Sequence, residues 1–290
     1  MHLIRSQRIW YWTEYCTNSS PIQRATVQMS TVNTHLLEVD KISWKGVIKD
    51  CSLSISPHSF TVIVGCNGSG KSSLLRCLCG WYPVDSGEVR IKNTPIANLS
   101  SKDRASIIGL LPQRIAVSES LPIIEWLSHF RFRFNESKST TQQKIADILK
   151  HSNLEQLSTR TWPQLSGGEA QRIALLGLQL QNTECWLLDE PGNHLDPSVG
   201  HQLYRRLVTA WQNGTTIVLV THNINVLLQH LPTELWSTVQ VVGMVDGTIK
   251  WTTDMDNEML PKYLGDLYGL NGQYVRVGNT KQIFYMTEDS

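Results

Sequence analysis

A glycine-rich stretch at residues 65–73 has the residue types and spacing of a loop that binds phosphate groups. It fits the pattern G-x-x-x-x-G-K-[ST] at every fixed position. Glycine permits the φ angles that such a loop needs, and the backbone amides then point at a bound anion. Lys71 is expected to contact the β- and γ-phosphates of a nucleotide, and the Ser72 hydroxyl is expected to bind Mg²⁺. The sequence therefore predicts a nucleotide site made by Gly65, Cys66, Asn67, Gly68, Ser69, Gly70, Lys71, Ser72 and Ser73.

The segments on either side of this stretch support the prediction. Residues 60–64 are an apolar run typical of a buried strand, and residues 73–78 are typical of an apolar helix. A strand, a glycine-rich loop and a helix in this order form the context in which the motif binds phosphate. The alternative is a glycine-rich turn with a chance lysine, which this context disfavours.

A second apolar run, residues 185–188, ends in two neighbouring carboxylates, Asp189 and Glu190. The carboxyl end of a strand in an α/β sheet faces the ligand crevice. One carboxylate is expected to hold Mg²⁺, and its neighbour is placed to orient and deprotonate a water molecule. This strand end indicates little by itself, but it is the expected partner of a phosphate-binding loop.

A third stretch, residues 165–169, opens a helix with a hydroxyl and two glycines: Ser166, Gly167 and Gly168. Bare amides at the positive end of a helix attract anions. The stretch has no lysine of its own, so it is expected to bind phosphate only together with another site. A plain helix cap is the alternative.

Composition sets limits on the class of protein. Of 290 residues, 41% are apolar and 18% are charged, which permits a sizeable core and argues against disorder. The net charge of +1 neither favours nor excludes nucleic acid, and no apolar run reaches the ~20 residues that span a bilayer. The six cysteines have no metal-binding spacing with histidine, which indicates a reducing compartment.

The order of the elements predicts an α/β fold. Strand patterns dominate residues 36–64, helical patterns residues 121–157, and the two alternate over 169–231. This alternation implies a largely parallel sheet with helices on its faces. Asp246-Gly247 indicates a hairpin, and a helix over 257–267 with a less regular tail is expected to end the chain.

The first part of the chain differs from the rest, with four aromatic residues crowded between positions 10 and 15. We expect residues 1–35 to be an N-terminal extension that is disordered or precedes the true start. An arm that binds a surface is the alternative.

Taken together, the motifs resemble the ATP-binding cassette (ABC) ATPase family. Residues 165–172 are similar to its signature, 111–113 to its glutamine loop, 192–196 to its D-loop and 221–222 to its switch histidine, all in the family's order. The resemblance implies an α/β P-loop NTPase fold with a mostly parallel core sheet, an N-terminal antiparallel β part and an inserted helical subdomain at about 119–180. The ATPase domain is expected to span 36–255, and a C-terminal helix and tail to span 256–290.

The resemblance also implies roles for individual residues. ATP and Mg²⁺ are the expected cofactors, with Ser72, Gln113 and Asp189 as Mg²⁺ ligands. Glu190 is the expected general base, His222 would contact the γ-phosphate, and Gln113 would contact the attacking water. Trp44 is expected to stack on adenine. Two cassettes are expected to pair, so that Ser166, Gly167 and Gly168 of one contact the ATP held by the other.

Within the family, the chain is most similar to importers of iron-siderophores, haem and vitamin B12. This similarity rests on residues 99–104, 193–196 and 259–269. It implies a peripheral subunit at the cytoplasmic face of the cell membrane, in a homodimer or paired with another ABC subunit. Transmembrane permease subunits would be direct partners and a substrate-binding protein an indirect one, without nucleic acid. Apolar residues near the glutamine loop would line the permease groove or in part form subdomain core: Ile123, Ile124, Trp126 and Phe130.

Two other functions share these motifs. A soluble ABC ATPase that acts on ribosomes or another non-transport target is the main alternative, but it normally joins two cassettes in one chain. A chromosome or DNA-repair ATPase needs long coiled coils between Lys71 and Leu165, and the chain has no room for them.

Overall fold

The protein's structure, a computed structural model, describes residues 35–115, 120–193, 195–277 and 280–287. Nearly all of the expected N-terminal extension, residues 1–35, lies outside these ranges. So do His194 of the D-loop motif and the boundary expected near residue 119.

The strands and helices of these ranges alternate along most of the chain. The strands, β1 to β12 in chain order, are Leu37–Trp44, Ile48–Ile55, Phe60–Val64, Ser86–Ile91, Thr94–Pro95, Ile108–Leu111, Cys185–Asp189, Thr216–Val220, Val239–Val245, Thr248–Asp254, Asn271–Val277 and Thr280–Met286. The α-helices, α1 to α8, are Lys71–Leu78, Ser101–Ile107, Ile123–Ser128, Lys138–His151, Gly167–Gln181, Pro197–Gln212, Ile224–Leu228 and Leu260–Tyr268. Short 3₁₀ turns lie at Ile96–Asn98, His129–Arg131, Glu155–Leu157, Trp162–Gln164 and Thr233–Thr238.

A six-stranded sheet in the order β10-β9-β3-β8-β7-β6 forms the centre of the fold. All its neighbouring strands run parallel except β10, which pairs antiparallel with β9 around Asp246-Gly247. A second, antiparallel sheet has the order β2-β1-β4-β5. The expected α/β fold, with its parallel core and antiparallel N-terminal part, is confirmed.

The central sheet has an apolar core on each face, since neighbouring residues of a strand point to opposite sides. Phe60, Val62 and Val64 of β3 pack in one core with α6 and α8, whereas Ile63 packs in the other with α1 and the antiparallel sheet. Burial on both faces explains why β3, β7 and β8 are continuous apolar runs without alternation.

Helices α3, α4 and α5 share a separate apolar core. Ile123 is fully buried in it, so this residue belongs to subdomain core and does not line a surface groove. Ile124, Trp126 and Phe130 are partly buried against the same core. This arrangement is compatible with an inserted helical subdomain.

The chain ends in an antiparallel hairpin, β11–β12, where the sequence suggested only an irregular tail. Apolar residues occur on both faces of the hairpin, which hides the alternation that usually predicts a strand. Ile283 on one face is buried in the main core, whereas Val275 and Phe284 on the other face are exposed.

Candidate nucleotide-binding and catalytic site

The loop between β3 and α1 has the backbone shape that its glycines suggested. Gly68 and Gly70 adopt φ angles of 80° and 98°, and Gly70 is the N-cap of α1. A Cβ on Gly65 would lie 2.3 Å from the Met244 carbonyl oxygen, so only glycine fits there. Residues 65–73 thus lead from the carboxyl end of a central strand into a helix N-terminus, as an anion site requires.

Lys71 is the first residue of α1 and is buried, with 4% of its surface exposed. Its ammonium donates to the carbonyl oxygens of Gly65 at 2.9 Å and Cys66 at 2.8 Å. Burial lowers the pKa of Lys71, although Glu190, Cys66 and Asp189 oppose this shift. The positive charge therefore lies inside the curve of the loop, where a phosphate group would be held.

Ser72 and Asp189, 117 residues apart in sequence, meet at the end of β7. The Ser72 hydroxyl donates to Oδ1 of Asp189 at 2.8 Å. Burial raises the pKa of Asp189, and the hydrogen bond from Ser72 opposes that shift. A hydroxyl beside a buried carboxylate fits Mg²⁺, which prefers oxygen ligands. Gln113, the third expected ligand, has its side-chain nitrogen on Glu190.

Glu190 is held by three side chains from different elements. Its Oε2 accepts hydrogen bonds from Gln113 Nε2 at 2.8 Å and Asn193 Nδ2 at 2.5 Å. Its Oε1 contacts His222 Nε2. The backbone at Glu190 has a φ of 50°, a strained angle for a residue with a side chain, and its N–H donates to Val220 at 3.0 Å. We call Gln113, Asn193 and His222 the donor set of Glu190.

His222 follows β8, and its neighbours fix the direction of the chain there. The Thr221 hydroxyl bonds the buried Tyr204 hydroxyl at 2.7 Å and accepts from the Asn223 amide at 3.1 Å. The Asn223 side chain caps α7 by accepting from Val226. These bonds place the imidazole over Glu190, beside a recess of about 230 Å³.

Trp44 lies at the end of β1, next to a turn that packs on the phosphate-binding loop. A Cβ on Gly70 would lie 3.2 Å from the Val47 carbonyl oxygen, which shows how close that turn approaches. The Trp44 indole stacks on Tyr82 with ring centroids 4.1 Å apart and an 8° interplanar angle. The ammonium of Lys45 lies 5.4 Å from the Trp44 ring centroid. One face of the indole is therefore covered by protein, and stacking on adenine through the other stays a prediction.

Ser166, Gly167 and Gly168 begin α5. Ser166 accepts from the Glu169 amide at 3.3 Å, and Glu169 in turn accepts from the Ser166 amide at 2.8 Å and from its hydroxyl at 2.9 Å. Within the described ranges, no hydrogen bond joins these residues to the phosphate-binding loop. The reciprocal cap holds the helix end, and a contact of these residues with a nucleotide stays a prediction.

Sequence reasoning missed two groups near the site. Asn193 was noted only as part of a motif, yet its amide bonds Glu190. The end of α8 reaches the phosphate-binding loop, where Cys66 Sγ donates to the Leu267 carbonyl at 2.9 Å and Tyr268 lies beside Gly65. No local sequence pattern predicts these contacts, because 201 residues separate Cys66 from Leu267.

Comparison with known proteins relates this chain to the ABC transporter family. Residues 48–193 match the profile of the ABC transporter family. The chain is 28% identical over 236 residues to the hemin import ATP-binding protein HmuV of Bordetella pertussis, covering 77% of this chain and 87% of that protein. It is 33% identical over 186 residues to the petrobactin import ATP-binding protein YclP of Bacillus subtilis, covering 62% and 73%.

The fold is similar to solved cassettes. The dimeric post-hydrolysis state of the ATP-binding cassette MJ0796, bound to ADP and Pi, superposes with a TM-score of 0.67 at 25% identity. The match covers 76% of this chain and 99% of that one.

Proposed function

This chain belongs to the ABC transporter family, and we propose that it hydrolyses ATP to drive a membrane importer. The observation that carries the proposal is the meeting of Ser72 with Asp189, beside Glu190 and in front of the Lys71 loop. Phosphoryl transfer needs this set of groups: a cation and amides on the phosphates, oxygen ligands for Mg²⁺ and a base for water.

In this mechanism the loop amides and Lys71 bind the β- and γ-phosphates. Mg²⁺, held by Ser72 and Asp189, would neutralise charge on those phosphates. Glu190 takes a proton from the attacking water, which requires its carboxylate to exchange some of its present donors for that water. Gln113 and His222 are the donors suited to leave, because their expected partners are bound with the nucleotide.

Two copies of the chain, or this chain and a paired ABC subunit, would complete the site. Ser166 already caps its own helix, and the helix N-terminus has no lysine of its own. The N-terminus of this helix can therefore donate backbone amides to an ATP held by the other subunit, but it cannot bind ATP by itself. The dimeric state of the MJ0796 cassette supports such pairing.

We propose an iron-siderophore, haem or cobalamin-like cargo. The relatives named for hemin and petrobactin import support a metal-chelate cargo. The soluble alternative, an ATPase acting on ribosomes, is not favoured by these relatives.

Permease subunits would dock near Gln113, on the exposed parts of Ile124, Trp126 and Phe130, with a substrate-binding protein as an indirect partner. In the described part of the chain, no helix has the length and apolar character to cross a bilayer. Docking to the permease would hold the protein at the cytoplasmic face of the membrane.

Co-expression with the permease chains of a haem or siderophore importer tests this proposal. Membrane recovery and ATP hydrolysis should both rise with the permease present, and an exposed variant such as Glu184→Gln should behave like wild type. Equal recovery and equal rates with and without the permease would contradict the importer function. Association with ribosomes in both cases would favour the alternative.

A further inference from the structure

The C-terminal segment, from Leu260 to Met286, touches the phosphate-binding loop at one place and the helix after His222 at another. At the first, the Leu267 carbonyl accepts from Cys66 of the phosphate-binding loop at 2.9 Å. At the second, the Asn225 side chain pairs with the Ile283 backbone: its nitrogen donates to the Ile283 carbonyl and its oxygen accepts from the Ile283 amide, both at 2.8 Å. Asn225 lies on α7, the helix directly after His222.

Tyr268 lies between these two contacts, as the last residue of α8. Gly269 ends the helix in a left-handed conformation with a φ of 67°, which turns the chain into the hairpin. The Tyr268 ring meets the Tyr285 ring edge-on, with centroids 5.9 Å apart. The side chain is thus fixed from one side by the hairpin while it faces the start of the phosphate-binding loop.

The hydroxyl of Tyr268 is buried and has no hydrogen-bond partner among the described residues. Burial raises the pKa of Tyr268, whereas the nearby Gly65 amide opposes the shift. The hydroxyl therefore lies at the start of the phosphate-binding loop, next to the contact between Leu267 and Cys66. A buried donor without an acceptor destabilises a fold, and phenylalanine would fill the same space without that penalty.

We propose that Tyr268 is a positioning residue for ATP hydrolysis, acting on the start of the phosphate-binding loop through its hydroxyl. This inference rests on the proposed function, in which the loop and Lys71 bind the phosphates of ATP. Lys71 donates to the carbonyls of Gly65 and Cys66, and these carbonyls lose that donor when its ammonium turns to the phosphates. The spare O–H of Tyr268 then holds the Gly65 end of the loop in the reacting arrangement.

The same segment offers a matched control. Tyr274 also belongs to it, but its hydroxyl already donates to the Met255 carbonyl at 3.0 Å. Removing that hydroxyl leaves a carbonyl short of a partner and touches nothing in the nucleotide site. The two tyrosines therefore have opposite expected effects on folding and on catalysis.

The test compares wild type, Tyr268→Phe and Tyr274→Phe as full chains, by thermal unfolding and by steady-state ATP hydrolysis. For Tyr268→Phe we expect an unchanged or higher Tm, a kcat about tenfold lower and a KM for ATP within about twofold, the pattern of lost positioning. For Tyr274→Phe we expect a Tm lower by about 2–4 °C with kcat unchanged.

Each other outcome has a definite meaning. If Tyr268→Phe hydrolyses ATP at the wild-type kcat, the role of Tyr268 is refuted while the ATPase function stands. A parallel loss of Tm and kcat in both variants would show that Tyr268 only packs the fold, which also refutes its positioning role. A folded wild type that does not hydrolyse ATP would overturn the proposed function, and this inference with it.

Discussion

Replacing Glu190 with glutamine separates the chemistry of the site from its architecture. Glutamine keeps the size of the side chain but cannot accept the proton of the attacking water. Loss of a general base typically lowers the rate by about 10²–10⁴-fold, equivalent to about 3–5 kcal/mol in the barrier. ATP binding should survive, because Lys71, Ser72 and Asp189 are unchanged.

The structure limits the accompanying loss of stability. The two hydrogen bonds on Oε2 of Glu190, from Gln113 and Asn193, can both move to the one oxygen of a glutamine. The new amide would face His222, whose imidazole can switch tautomer and accept. Charge-assisted bonds become neutral ones, so we expect the free energy of unfolding to fall by only about 1–3 kcal/mol.

Single-turnover phosphate release with saturating ATP and Mg²⁺ measures the loss of hydrolysis rate, and denaturant unfolding measures the loss of stability. Sizing in the same buffer should detect an ATP-bound dimer of Glu190→Gln, whereas Lys71→Ala should neither bind ATP well nor dimerise. Glu184→Gln is the matched control, because this exposed carboxylate pairs only with Lys92 among its described contacts, at 2.7 Å. Phosphate release by Glu190→Gln at the wild-type rate would show that another group activates the water.

Two further predictions concern single groups. The exposed thiol of Cys66 lies in the phosphate-binding loop, so alkylation should block ATP binding and bound ATP should protect it; equally fast inactivation of Cys66→Ser would contradict this. Burial would raise the pKa of Glu136, but hydrogen bonds from Lys144 and Arg131 lower it overall. The contribution of these two bonds to the free energy of unfolding is therefore complete above the unfolded pKa of about 4.3 and is lost as pH falls through the lower folded value. Lowering the pH from about 5 to about 3 should reduce the free energy of unfolding of wild type more than that of Glu136→Gln, as measured by denaturant unfolding. Equal acid sensitivity of the two proteins would refute the argument.

Much of the fold followed from local patterns in the sequence. The apolar runs at 60–64 and 185–188 predicted buried strands, and the alternation of strand and helix patterns over 169–231 predicted the parallel sheet that the structure has. The hairpin of β11 and β12 was missed because Val275 and Phe284 make its outer face as apolar as its inner one. A half-buried strand is predicted from the alternation of apolar residues on one face with polar residues on the other, and here the two faces differ little in polarity.

For the site, local sequence determines the backbone shape of the phosphate-binding loop and the helix cap at Ser166, which was the alternative to a second anion site. Both are built from residues within a few positions of one another, so backbone preferences and spacing suffice to specify them. The pairing of Ser72 with Asp189 was also foreseeable, since the carboxyl ends of parallel strands meet at one edge of the sheet.

Only the tertiary structure decided which groups hold Glu190 and where Tyr268 lies. Gln113, Asn193 and His222 come from three separate connections, and their convergence depends on how β6, β7 and β8 are ordered in the sheet. Tyr268 reaches Gly65 because α8 packs on the sheet face beside β9 and β3. A contact of this kind leaves no periodic trace in the sequence, because it is fixed by the packing of whole elements and not by the spacing of residues within one.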